Sequence, residues 1–145
     1  MRILIVAPDR HDMLYGYIAR ASYQVFGNDV SLLLARDMKE AVRDMYKYPE
    51  MDLVISKIGL HTELFRRSSF FPLGGYALAR FISRRSPRTM IILVTSSMPP
   101  MEEKHERTKF FTKAANAGVR ALVLDVFTPE RWGKLLTQLF STTLD

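Results

Sequence analysis

The sequence predicts an α/β domain in which helices cover both faces of a doubly wound parallel sheet of five strands. Five short apolar runs alternate along the 145-residue chain with five segments of helical periodicity, which gives the connection order (βα)5. Strands that are apolar throughout are expected where both faces of a sheet are covered. Right-handed crossovers between such strands favour the doubly wound arrangement.

The predicted strands follow one another without an internal repeat, at residues 2–7, 30–35, 52–56, 90–95 and 121–124. The first helix is expected behind Asp9, which is a candidate N-cap. The second helix is expected behind a capping box formed by Asp37 and Glu40, and it ends at Pro49.

The segment between the third strand and the third helix is longer than the roughly 2–6 residues usual for such a connection. We expect an irregular stretch over residues 59–73, and then a helix that begins near Gly74 and ends before Pro87. This third helix is expected to carry Leu78, Ala79 and Ile82 inward.

Capping signals delimit the last two helices. Pro99-Pro100 opens the fourth helix, and Gly118 provides its C-cap. Thr128 is an N-cap followed by proline at the first position of the fifth helix, whose apolar stripe begins with Trp132.

Length and composition exclude several classes of protein. A chain of 145 residues fits one domain over residues 1–145, and 48% hydrophobic with 25% charged residues is typical of a globular chain rather than a disordered one. No apolar run approaches the roughly 20 residues of a membrane span, and the opening segment lacks the features of a signal peptide. The absence of cysteine excludes disulfides and thiolate metal sites. We therefore expect a cytoplasmic protein without a membrane partner.

The net charge of +6 is unevenly placed along the chain. Residues 57–101 hold seven basic side chains and one acidic side chain. One interpretation is a solvated basic face. The alternative is a nucleic-acid- or phosphate-binding module that uses the basic segment 66–88.

Five segments resemble the receiver domain of bacterial response regulators over nearly the full length of the chain. They are ILIVAPD, DLVISKIGL, LGGYALARFI, MIILVTSSMP and AGVRALVLDVFTPE, in the order and approximate spacing of that family. The resemblance implies a flavodoxin-like sheet with strand order 2-1-3-4-5. It also implies a role in signal transduction within a two-component system.

The same resemblance indicates that the phosphorylation site is degenerate. In the family, two acids after the first strand hold Mg²⁺, and an aspartate after the third strand is phosphorylated. Here Ala7 and Pro8 occupy the acid positions, and Lys57 occupies the phosphoacceptor position. Asp125 stands where the family has a lysine, and Thr95 alone agrees with the family. The chain is therefore identified as an atypical pseudo-receiver, for which we expect no metal, no cofactor and no phosphotransfer.

Lys57 and Asp125 reverse the aspartate and lysine of the family. If the fold is a receiver fold, their side chains are expected to lie close together and to form an ion pair. The alternative is that each points separately into solvent. The position of the family's aromatic switch residue falls on Leu122.

Two surfaces are candidates for contact with a protein partner. Phe70 and Phe71, beside Arg66 and Arg67, have the composition of a binding hot spot, or else they fold back over the helices as a satellite cluster. The resemblance also implies an output or homodimer surface on the fourth helix, fifth strand and fifth helix. That surface would include residues 102–113 and 128–140, with Trp132 among its contact residues.

No enzyme motif is present in the sequence. It lacks a phosphate-binding glycine loop and a nucleophile elbow, and His11, His61 and His105 are scattered without ligand spacing. Asp9 and Asp12 flank His11, but acids there fit the start of a helix better than a cation site. The expected function is protein–protein interaction in signalling without gating by phosphorylation. A flavodoxin-like small-molecule site at the strand ends is a third hypothesis.

Overall fold

The computed structural model describes residues 1–7, 12–64, 67–71, 74–95, 103–124 and 128–141, with the backbone alone for residues 61–64, 67–71 and 107. The strands are β1 Arg2–Val6, β2 Ser31–Ala35, β3 Leu53–Lys57, β4 Leu60–Leu64, β5 Arg67–Phe71, β6 Met90–Thr95 and β7 Ala121–Leu124. The helices are α1 Met13–Phe26, α2 Met38–Lys47, α3 Gly74–Arg85, α4 Lys104–Asn116 and α5 Pro129–Phe140.

The main sheet contains five parallel strands in the order β2-β1-β3-β6-β7. Counted without the strands of the hairpin described below, this is the order 2-1-3-4-5, so the predicted fold class is confirmed. The sheet reverses its winding direction between β1 and β3, and the carboxyl ends of these two neighbours form the crevice in which such sheets usually carry function.

The stretch over residues 59–73 is not irregular as predicted. It contains β4 and β5, which pair antiparallel with Leu60 opposite Phe71 and Leu64 opposite Arg67. The prediction was wrong because it relied on continuous apolar runs as the signal for strands. The hairpin strands instead mix polar and apolar residues, because they pair with each other and not with the main sheet, although Leu60 at the start of β4 is buried in the core.

Side chains alternate along the strands and divide the core between the two faces of the sheet. Leu4 and Val6 pack with residues of α2, α3 and α4 on one face, whereas Ile3 and Ile5 pack with residues of α1 and α5 on the other. A strand that is buried on both faces is expected to be apolar at almost every position, which is the pattern that predicted the fold.

The helix ends follow the local capping chemistry. Asp37 accepts a hydrogen bond from the N–H of Glu40 at 2.8 Å, which is the N-cap half of the predicted capping box, whereas the Glu40 carboxylate accepts from the N–H of Arg36 at 2.8 Å, one residue before the N-cap. Gly118 has φ of 85° just after α4, the left-handed conformation of a glycine C-cap. Asp9, which lies outside the described residues, was predicted to cap α1, but the N-cap is Asp12.

No helix in the described part of the chain is long and apolar enough to cross a bilayer.

Candidate functional site

The candidate site lies at the carboxyl ends of β1 and β3. These strands are neighbours in the sheet, with Val6 opposite Ser56, so Ala7 and Lys57 leave the same edge side by side. The chain that follows β1 leads to α1, and its first helical turn lies at the same edge. Residues from three elements therefore meet here.

An ion pair joins the end of β3 to the start of α1. The Lys57 ammonium lies 2.7 Å from Oδ2 of Asp12, and the two side chains are 32% and 17% exposed. The other carboxylate oxygen, Oδ1 of Asp12, accepts a hydrogen bond from the N–H of Leu14 at 2.9 Å. One carboxylate thus caps α1 and holds Lys57. Both of its oxygens are occupied by donors from this chain.

The backbone beyond Lys57 is held tightly against its neighbours. The N–H of Ile58 donates to the carbonyl of Val94 at 3.0 Å, and the carbonyl of Ile58 accepts from the N–H of Gly75 at 2.6 Å. A Cβ on Gly75 would stand 2.6 Å from the Lys57 carbonyl oxygen and 2.7 Å from Cα of Ile58. The first turn of α3 can approach β3 this closely only because residue 75 has no side chain.

The structure places three of the five predicted site residues. Ala7 is buried, and its N–H donates to the carbonyl of Ala35 at 3.0 Å. Thr95 ends β6 and is partly exposed. Pro8 and Asp125 lie outside the described residues, so the predicted pair of Lys57 with Asp125 stays a prediction.

Sequence reasoning missed Asp12 as the partner of Lys57. The sequence indicates Asp12 only as an acid at the start of α1. The signal was present, because the segment after β1 and the end of β3 meet at one edge of a doubly wound sheet. A charged residue in each of these two segments is therefore a candidate pair.

The residues present do not fit the Mg²⁺ ion that the receiver fold implies. Mg²⁺ prefers carboxylate, carbonyl and water oxygens. Ala7 and Pro8 supply no side-chain oxygen, and the Lys57 ammonium would repel a cation. Among the described residues, no three His, Asp or Glu side chains gather as a metal site.

Trp132 was predicted as a contact residue, and the structure contradicts this. Its side chain is 0% exposed and packs among the apolar residues between the sheet and α1 and α5. The apolar stripe of α5 that contains Trp132 therefore faces the core, as an amphipathic helix packed on a sheet requires.

Three of the other predicted contact residues belong to the hairpin. The backbone of Phe70 and Phe71 lies in β5, and Arg67 begins that strand. Their side chains and the whole of Arg66 lie outside the described part, so their role as contacts stays a prediction.

A double-mutant cycle tests the ion pair at the site. Asp12→Asn keeps an oxygen that can cap α1 but removes the charge, and Lys57→Met keeps the length of the side chain. We expect each change to lower the free energy of unfolding by about 1 kcal/mol, with a coupling of about 0.5–1 kcal/mol, because the pair is only partly desolvated. Urea denaturation measures both quantities.

The pair of Lys109 with Glu106 serves as the matched control. These side chains are 65% and 59% exposed and 3.9 Å apart, so their coupling should lie near zero. If the Lys57–Asp12 cycle is as additive as this control, the ion pair contributes nothing to stability.

The sheet and its helices are similar to solved receiver domains. A response regulator from Thermotoga maritima matches with a TM-score of 0.71 and 14% identity, over 97% of this chain and 97% of that chain. The signal receiver domain of the putative response regulator NarL from Mycobacterium tuberculosis matches with a TM-score of 0.69 and 13% identity, over 97% of this chain and 95% of that chain. A putative pilus assembly-related protein from Burkholderia pseudomallei K96243 matches with a TM-score of 0.66 and 16% identity, over 97% of this chain and 90% of that chain.

No family model and no curated protein matches the sequence. At the identities given above, the similarity to solved structures is a similarity of fold. It rests on the same parallel sheet, strand order and helices that the sequence segments predicted. The chain has the fold of response-regulator receiver domains.

Proposed function

We propose that this protein is a pseudo-receiver that cannot be phosphorylated and that acts as a cytoplasmic protein–protein interaction module in bacterial signal transduction or regulation. The observation that carries the proposal is the ion-paired ammonium of Lys57 at the end of β3. That end of β3 is where the receiver family presents its acceptor aspartate. We assign no enzymatic activity and no cofactor.

Phosphotransfer at this position requires a carboxylate that attacks phosphorus and a metal that neutralises the charge of the phosphoryl group. An ammonium group cannot form an acyl phosphate, and Ala7 offers no oxygen for the metal. The Asp12 carboxylate is already bound by Lys57 and by the N–H of Leu14. The Lys57–Asp12 ion pair between α1 and β3 therefore takes the place of a residue that is phosphorylated and dephosphorylated.

The surface formed by α4, β7 and α5 is the proposed contact for a protein partner, including a second copy of this chain. Phe111 on α4 and Leu124 on β7 are 40% and 37% exposed, although both are large apolar side chains. β7 lies at one end of the main sheet. Exposed apolar groups beside a sheet edge are typical of surfaces that bind another protein.

Two measurements on the purified protein test this function. Incubation with acetyl phosphate and Mg²⁺ should yield no hydroxylamine-sensitive phosphoprotein. In pull-downs and in sedimentation analysis, Phe111→Ser with Leu124→Ser should weaken binding of a partner or self-association about thirtyfold, since an anchoring side chain is worth about 2 kcal/mol.

The control variant carries Met13→Ser and Tyr23→Ser. Both residues are exposed on α1, which is not one of the three elements of the proposed contact, and should leave association unchanged. A labile, Mg²⁺-dependent phosphoprotein would refute the proposal, as would equal effects of the two double variants on association.

A further inference from the structure

The basic surplus of the sequence gathers on one face of the folded molecule. The helices α2, α3 and α4, which cover one face of the sheet, carry ten basic and three acidic residues. The helices α1 and α5 on the opposite face carry three basic residues and one acidic residue. Such an uneven field attracts polyanions to one side of a protein.

A groove of about 330 Å³ between α3 and α4 lies within this basic face. Its basic lining residues are Arg80 from α3 and Lys109 and Lys113 from α4, and His105 lies beside them. The lining also includes Thr108, Thr112 and Asn116, and none of the lining residues in the described part of the chain is acidic. We refer to this feature as the α3–α4 groove.

The nitrogen-bearing side chains of the α3–α4 groove are arranged in a row. His105, Lys109 and Lys113 follow one another at four-residue steps, so they share one side of α4 with a rise of about 6 Å per step. Arg80 faces this row from α3. A row of this length can contact several successive charges of a polyanion, whereas a single small anion would contact only one or two of its side chains.

Among the described residues, contacts leave these charges largely uncompensated. Glu106 lies 3.9 Å from Lys109, but both side chains are more than half exposed, and such pairs contribute little. The Lys113 ammonium lies 5.2 Å from the ring centroid of Tyr76, a cation–π contact that leaves its charge intact. Burial raises the pKa of the Tyr76 hydroxyl, so the ring stays neutral.

The residue types in the α3–α4 groove distinguish a phosphate backbone from an acidic protein segment. Arginine, lysine, threonine and asparagine are the side chains that contact phosphate oxygens. Protein interfaces are usually anchored by large apolar side chains, and the lining residues in the described part of the chain include none. Every lining residue in the described part ends in a polar or charged group. We infer that the α3–α4 groove binds the sugar–phosphate backbone of a nucleic acid, without selecting its bases.

This inference is tested by fluorescence anisotropy with a labelled 20-nucleotide oligothymidylate over a range of salt concentrations. The groove variant combines Arg80→Gln, Lys109→Gln and Lys113→Gln. We expect its affinity to fall about a hundredfold at 0.1 M salt, and the slope of log affinity against log salt to become shallower by about 2, because three phosphate contacts are lost.

The matched control combines Arg20→Gln, Arg131→Gln and Lys134→Gln on the opposite face. It removes the same three charges from exposed positions of α1 and α5, and its affinity should change less than threefold. Thermal melting establishes that both variants are folded.

Three outcomes would overturn the inference. The first is an equal loss of affinity in the groove variant and the control, which would indicate attraction by net charge alone. The second is wild-type binding that does not depend on salt. The third is polyglutamate competing as well as the oligonucleotide at the same concentration of charge, which would assign the groove to an acidic protein segment. None of these outcomes bears on phosphorylation at β3, so this inference and the proposed function can fail separately.

Discussion

Gly75→Ala is expected to lower the free energy of unfolding by about 3 kcal/mol, the upper end of the usual cost of overpacking. The added methyl group would meet the backbone of Lys57 and Ile58 rather than a flexible side chain. Relief would require α3 to move away from β3, which would break the 2.6 Å hydrogen bond between the Gly75 N–H and the Ile58 carbonyl. Urea denaturation measures the loss.

Gly16→Ala provides the matched control, since Gly16 lies on the exposed side of α1 with nothing within 4 Å of the added carbon. Alanine is favoured over glycine inside a helix, so this variant should be more stable by about 0.5–1 kcal/mol. If Gly75→Ala were also neutral or stabilising, the close approach of α3 to β3 would be refuted.

Trp132→Ala is expected to lower the free energy of unfolding by about 3–5 kcal/mol. The indole is fully buried between α5, α1 and the sheet, so its removal leaves a cavity that the surrounding residues fill only in part. Denaturant titration followed by circular dichroism measures this loss without relying on the fluorescence of the only tryptophan.

Phe111→Ala is the comparison for the tryptophan variant. Phe111 is partly exposed on α4, so the same truncation there should cost about 1 kcal/mol. If the Trp132 variant is no less stable than the Phe111 variant, Trp132 is not part of the core and is again a candidate contact residue.

The main sheet was predictable because each of its elements carries a local signal. The runs that became β1, β3 and β6 are apolar at almost every position, as burial on both faces demands. The start of α2 follows from Asp37 and Glu40, whose hydrogen bonds depend only on neighbouring residues.

The hairpin and the burial of Trp132 were harder to predict because both depend on tertiary context. The strands β4 and β5 satisfy each other's backbone and need no continuous apolar pattern. An aromatic residue on an amphipathic helix can serve a core or an interface, and its position in the sequence does not distinguish them. Trp132 serves the core because α5 packs against α1 and the sheet.

The candidate site was predictable only in its composition. The mismatch between Lys57 and the expected acceptor aspartate can be seen in the residues themselves. The partner of Lys57 could not be found in this way, because side-chain reach decides among several nearby carboxylates. Oδ2 of Asp12 accepts from the Lys57 ammonium, while Oδ1 accepts from the N–H of Leu14 and caps α1.

The shared carboxylate of Asp12 also constrains how this protein could change by mutation. Under the proposed function, Lys57→Asp alone would bring a second carboxylate against Asp12, and like charges at such close range disfavour each other. The segment after β1 would still add no ligand, because Ala7 and Pro8 lack side-chain oxygens. A return to phosphorylation would thus require several substitutions at once, with a less stable intermediate between them. Descendants of this chain are therefore expected to diversify in their surfaces while this edge of the sheet stays as it is.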